Sequence, residues 1–149
     1  MLRFAFSFMR DGREAEFVRH EARGVLVAGK VERAEAVAGY RALARRVDEV
    51  WICRGDLGAQ VGAAAMAAFV ARVRPVRGGT PVLMAGQVLH GLVTGAEPSR
   101  SEVCHLYDLV ERGYAGIVLS DETAIGRDPV GAVRCAVDLA ARLGRARRK

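Results

Sequence analysis

The chain has 149 residues, of which 51% are hydrophobic and 27% charged, with a formal net charge of +6. That length suits one domain, spanning 1–149 and able to bury a core, and that apolar share excludes a disordered chain. No apolar run approaches the roughly 20 residues that span a bilayer, and the opening MLRFAFSFMRDG is too soon interrupted for a secretory segment, so a cytoplasmic protein without membrane partners is expected. Part of the positive charge gathers at the C-terminus, at Arg142, Arg145, Arg147, Arg148 and Lys149. With no aromatic interleaving and no nucleic-acid motif, this tail is expected to be a solvated end rather than a nucleic-acid surface. Cys53, Cys104 and Cys135 form no C-x-x-C pair and are expected to be buried thiols in a reducing compartment.

In chain order, short apolar runs alternate with longer amphipathic ones. FAFSF (4–8) precedes the helix-like DGREAEFVRHEAR (11–23), and GVLVAG (24–29) precedes RAEAVAGYRALARRV (33–47). EVWIC (49–53) is followed by AAAMAAFVARVRPV (63–76), PVLMA (81–85) by SRSEVCHLYDLVERG (99–113), and GIVLS (116–120) by DPVGAVRCAVDLAARLG (128–144). The short runs have the length and β-branched content of strands buried on both faces. Ser99 with Glu102 predicts a capping box, and Asp128 before Pro129 predicts an N-cap with proline at the first helical position. Five βα units in a row predict an α/β fold with a parallel sheet and right-handed crossovers.

Chemistry in such sheets sits at the carboxyl ends of the strands, and the unusual residues fall there. After successive strands come Ser7 and Arg10, Lys30 and Glu32, RGDLG (54–58), GQVLHG (86–91) and SDETA (120–124). Apart from Lys149, Lys30 is the only lysine in a chain that otherwise uses arginine. Lysine is a compact point charge on a flexible stem, suited to a phosphoryl oxygen or to proton chemistry, whereas arginine is a planar fork. Along extended backbone Lys30 and Glu32 point to one side. Glu32 and Asp56, at neighbouring strand ends, supply two hard oxygen ligands of the kind Mg²⁺ or Mn²⁺ takes while filling its shell with water and substrate. Gly55 and Gly58 flank Asp56 and predict a tight turn whose backbone N–H groups approach an anion at the next helix start. Each feature also has a structural explanation: Lys30 as a solvated side chain, Glu32 as an acid at a helix start, RGD as ordinary turn chemistry.

Together these motifs resemble the pyruvate kinase family, specifically the second part of its (β/α)₈ barrel. FSFMRDGREAEFVR resembles the family's fourth strand and following helix, GKVERAEAV its K-I-E segment, and ICRGDLG its A-R-G-D-L-G turn. TPVLMAGQVL is similar to P-V-I-x-A-T-Q-M-L, EPSRSEV to P-T-R-A-E-V, and GIVLSDETAIGRDPVGAV to x-M-L-S-G-E-T-A-x-G-x-Y-P-x-E-A-V. The resemblance implies a partial TIM-barrel-like sheet of about five βα units. It implies phosphoryl transfer between phosphoenolpyruvate and ADP, with Mg²⁺ or Mn²⁺ and K⁺ as ions. Lys30 matches the lysine that contacts the transferring phosphoryl group and the enolate, Glu32 and Asp56 match the divalent-metal ligands, and the backbone of Gly55 and Asp56 matches the segment holding the substrate carboxylate. Ser120, Glu122 and Thr123 match the last-strand motif, and Ser7 and Arg10 are further rim candidates.

The chain departs from that pattern at several positions. Gly86 stands where the family has a substrate-binding threonine, Asp121 replaces a glycine, Gln60 and His90 replace residues that are usually glutamates, and Cys53 replaces an alanine. Nothing in the chain resembles the family's first three barrel strands, with their phosphate, nucleotide and monovalent-cation segments. Three functions are therefore open: pyruvate-kinase-type transfer with a second chain completing the site, a metal-dependent lyase or tautomerase acting on pyruvate or a similar oxoacid, and a catalytically degenerate remnant with a binding or structural role. An open sheet of five units also predicts self-association or a partner chain, because its edges and inner face need cover.

Overall fold

A computed structural model of the chain describes residues 2–146; the basic-tail residues Arg147, Arg148 and Lys149 lie outside the described residues. Its strands are β1 (Arg3–Phe6), β2 (Leu26–Val31), β3 (Glu49–Cys53), β4 (Val82–Ala85) and β5 (Gly116–Val118). They form one open parallel sheet in chain order, the architecture expected of successive βα units. The helices are α1 (Glu14–Glu21), α2 (Ala34–Ala38), α3 (Tyr40–Ala44), α4 (Arg54–Val61), α5 (Ala63–Arg72), α6 (Gly91–Thr94), α7 (Arg100–Glu111), α8 (Asp121–Ala124) and α9 (Pro129–Ala146). Among the described residues no helix is long and apolar enough to cross a membrane. The chain divides into two compact units between Leu83 and Met84.

In the first unit the β1–β2 register runs from Arg3 opposite Leu26 to Phe6 opposite Gly29, and the β2–β3 register from Ala28 opposite Glu49 to Val31 opposite Ile52. Side chains alternate faces along each strand. Val27, Val31, Val50 and Ile52 are fully buried, as are Met9, Ala15, Ala36, Leu43 and Leu57 from the surrounding helices and loops. A Cβ at Gly29 would lie 2.8 Å from the Met9 sulfur and 3.2 Å from a Leu43 methyl, so glycine there lets the helical layer close on the strand. The alternate set, Leu26, Ala28 and Lys30 beside Glu49, Trp51 and Cys53, makes the other face of the sheet.

In the second unit the core is Met84, Val88, Leu89, Leu92, Leu106, Leu109, Ala132 and Ala136. The Ser99 side chain accepts from the Glu102 amide while Glu102 accepts from the Ser99 amide, the reciprocal capping box read from the sequence. Asp128 Oδ1 accepts from the Gly131 amide at 2.8 Å, which caps α9 as expected.

Four expectations are corrected. The 33–47 helix is two short helices meeting at Gly39, where glycine's weak helix propensity lets the chain break. RGDLG is the first part of α4 rather than a turn, so its glycines sit inside a helix. Strand burial is uneven: β1 is exposed along most of its length, because it is the edge of the sheet, and β5 is only half-buried. Of the cysteines only Cys53 is buried, Cys135 being half-buried and Cys104 exposed, since both fall on helices with a solvent side.

Candidate functional site

The first unit assembles its polar group at the end of β2. The Lys30 ammonium donates to Ser7 Oγ at 3.1 Å and stands 2.7 Å from Glu32 Oε1. The two side chains share one side of the chain, as alternation requires, but their environments differ: Lys30 is 24% exposed and Glu32 1%. A carboxylate this deeply buried needs partners. Its Oε2 accepts the Phe8 amide at 2.7 Å. Phe8 itself adopts φ 52°, a left-handed conformation that points its N–H back toward β2. The remaining oxygen, Oε1, is buried without a well-aligned hydrogen bond, so Lys30 holds it by charge.

Burial by itself would lower the Lys30 pKa, but the contact with Glu32 and the negative charge of Asp56 outweigh it and the net shift is upward. Lys30 therefore stays a cation. Cys53 ends β3, and burial, reinforced by the Glu32 carboxylate, pushes its thiol up to about 12. Asp56 acts electrostatically on both Lys30 and Cys53, as the weakest of the influences on each. It is exposed in the first turn of α4, next to exposed Gly55, where an added Cβ would meet nothing within 4 Å. The first-turn amides of a helix lack intrahelical acceptors, so this opening has donors at its edge. Arg10 stands apart: its charge acts on Asp11 and Glu35 rather than on the Lys30 group, and its amide donates to Glu14 at 2.8 Å.

No group of three or more His, Cys, Asp and Glu residues that could hold a metal ion occurs among the described residues. What is present is one buried carboxylate oxygen without a directed partner and one exposed carboxylate, an all-oxygen pair. That donor set fits a hard divalent cation that takes one or two protein carboxylates and completes its shell from water and substrate.

The rim residues of the second unit do different work. Glu122 is fully buried, and both of its oxygens are occupied: Leu89 donates its amide to Oε1 at 3.0 Å and Ser120 donates its amide to Oε2 at 2.8 Å. Burial raises its pKa, but these amides more than compensate and hold it below the usual carboxylate range. Thr123 Oγ1 donates to the Ser120 carbonyl at 3.1 Å, so Ser120, Glu122 and Thr123 together tie the loop after β5 to the loop after β4. The same tie sets His90 Nδ1 3.9 Å from Asp121 Oδ2, two residues that both depart from the family pattern. Gly86 has φ +79° and Gln87 φ 52°, so the position compared with the family's threonine is left-handed backbone. A hydroxyl side chain is thus missing for a conformational reason as well as a chemical one.

Two contributors were not visible in the sequence. The Phe8 amide reaches Glu32 from 24 residues away, and the Leu89 amide reaches Glu122 from 33. Both are backbone groups, which no residue-type pattern reveals.

The family model for the barrel domain of pyruvate kinase matches residues 3–133. The pyruvate kinase of Corynebacterium efficiens is 32% identical over 136 residues, covering 87% of this chain and 29% of the relative. Pyruvate kinase 2 of Synechocystis is 31% identical over 145 residues, covering 93% of the chain and 24% of the relative, and the pyruvate kinase of Mycobacterium tuberculosis 31% over 147 residues, covering 90% and 31%. The chain therefore spans less than a third of these relatives. With the barrel-domain model matched along most of its length, the chain belongs to the pyruvate kinase family.

Proposed function

We propose that Lys30, Glu32 and Asp56 form the metal and anion half of a pyruvate-kinase-type site, which transfers a phosphoryl group between phosphoenolpyruvate and ADP when a second chain or a second copy completes it. The observation that carries this reading is the buried Glu32 carboxylate, fixed at one oxygen by the Phe8 amide and left at the other without a well-aligned hydrogen bond, beside the Lys30 ammonium and near the Cys53 thiol. Glu32 and Asp56 would hold Mg²⁺ or Mn²⁺, whose contribution is to compensate the charge of phosphate and enolate oxygens. Lys30, kept protonated by its neighbours and aimed by Ser7, donates to an anionic oxygen of the substrate. The open space at Gly55, with the first-turn amides of α4 at its edge, receives the substrate carboxylate. Cys53 remains a neutral thiol and adds no charge to the group. Phosphoryl transfer rests on positioning and charge compensation, which these residues supply on one side. No residue of this chain is assigned to K⁺.

A second reading is favoured by Gly86. Without the threonine hydroxyl, the residues present suffice to bind an oxoacid such as pyruvate and stabilise its enolate, which is the chemistry of a metal-dependent lyase or tautomerase.

Binding of oxalate, a planar mimic of enolpyruvate, at saturating Mg²⁺ tests the shared core of both readings. Lys30→Met is expected to abolish binding and to lower the thermal melt, because it leaves the buried Glu32 oxygen without its counter-charge, whereas Lys30→Arg, which keeps the charge, is expected to weaken binding at least tenfold because a planar fork does not fit a point-charge position. Wild-type affinity in Lys30→Arg would reduce Lys30 to a surface cation. Phosphoenolpyruvate-dependent ATP formation then separates the kinase from the oxoacid enzyme, for which pyruvate proton exchange is the assay.

A further inference from the structure

The second unit contains a cavity of about 360 Å³ that the proposed site does not use. It is lined by Leu92, Thr94, Gly95 and Ala96 on one side and by Arg127, Asp128, Gly131 and Ala132 on the other. Its volume equals about a dozen water molecules and falls in the range of small-ligand sites. Asp128 Oδ1 accepts the Gly131 amide, and a Cβ at Gly131 would collide with the other Asp128 oxygen, so glycine there leaves the cap in place and keeps side-chain atoms out of the space.

The walls are of two kinds. Leu92 and Ala132 are buried apolar surface that faces the space, with Ala96 exposed beside them. Arg127 is fixed by its backbone, which donates to the Val93 carbonyl at 3.2 Å, while its guanidinium makes a single long bond of 3.4 Å to the Thr94 carbonyl. It forms no ion pair among the described residues, so most of its five donors are free for a ligand. A guanidinium beside a small apolar wall recognises a carboxylate joined to a short hydrocarbon. Asp128 adjoins the space, so its charge disfavours every anion there and a dianion more than a monocarboxylate.

We infer that this cavity binds a short aliphatic carboxylate, its head on Arg127 and its body against Leu92, Ala96 and Ala132. The site is independent of the phosphoryl-transfer reading, because every residue in it belongs to the second unit and none is a proposed ligand of metal or oxoacid.

Titration calorimetry with 4-methylpentanoate, inorganic phosphate and 3-methylbutanol as probes decides it, on the whole chain. Saturable binding of 4-methylpentanoate is expected, at least tenfold tighter than of phosphate or of the alcohol, which carry the head or the tail alone. Arg127→Gln is expected to weaken it at least tenfold, and Ala96→Trp, which fills the space from an exposed position, to abolish it. Oxalate binding with Mg²⁺ should be the same in all three proteins, and thermal melts confirm that both variants fold. No saturable binding, equal binding in wild type and Arg127→Gln, or phosphate bound as tightly as 4-methylpentanoate would overturn the inference.

Discussion

Glu32 and Glu122 are the two fully buried charged residues among those described, one in each unit, and they answer the same physical problem differently. Glu122 satisfies both oxygens with backbone amides and has its pKa lowered by them. Glu32 satisfies one oxygen with the Phe8 amide and leaves the other facing a cation. A carboxylate saturated by backbone is a fastening: moving it leaves buried donors without acceptors. One with an oxygen free of backbone donors keeps capacity for an ion, which is the basis of the site proposed at Glu32. Burial alone therefore does not separate structural from functional acids; the identity of the partners does.

The largest test of that contrast is Glu122→Ala. A buried amide at Leu89 and a half-buried one at Ser120 lose their acceptor, and the expected cost is about 3 kcal/mol by urea denaturation, with hydrogen-exchange protection lost at Leu89. A loss below about 1 kcal/mol would mean that water reaches those amides and that Glu122 is no fastening. Glu32→Gln should behave in the opposite way. The amide side chain can still accept from Phe8, so stability should change by about 1 kcal/mol, while Mn²⁺ affinity measured by water-proton relaxation should fall at least tenfold. Equal affinity in the variant would remove Glu32 from the metal site.

The two units should also respond to opposite ends of the pH scale. Glu122 has a depressed folded pKa, so its contribution is full above the ordinary glutamate value of about 4.3 and is lost as pH falls through the lower folded value. Lys30 has a raised folded pKa, so its contribution is full below the ordinary lysine value of about 10.4 and is lost as pH rises through the higher folded one. The stability gap between wild type and Glu122→Ala should narrow only at the acid end, and the gap to Lys30→Met only at the alkaline end. Overlapping profiles would show that neither group titrates as its surroundings dictate. The smallest effect concerns the thiols. Cys104 should react with a disulfide reagent in the native state, whereas Cys53, buried and pushed up to about 12, should react only on unfolding. Fast native labelling of Cys53 would show that the Glu32 surroundings open to solvent.

Local signals in the sequence located what local physics determines. All five strands lie at their apolar runs, and the caps at Ser99 and Asp128 form with the partners expected. Lys30 and Glu32 share a side because strand periodicity demands it. What stayed hidden was tertiary. Gly55 and Gly58 signal a turn by residue type, yet α4 begins at Arg54, one residue past the end of β3. Glu122 looks like another rim acid until the Leu89 amide is seen to meet it. The exposure of β1 follows from which strand has a neighbour, and no side chain in Arg3–Phe6 records that.

The backbone at Gly86 limits which side chains the loop after β4 accepts. A threonine placed there would sit at φ +79°, with Gln87 already left-handed beside it, and a β-branched residue in that conformation costs about 1 to 2 kcal/mol. Placing a hydroxyl here by one substitution is thus uphill, because the loop has to abandon its present shape before threonine fits. Introducing it without strain calls for exchange of the whole 85–89 segment.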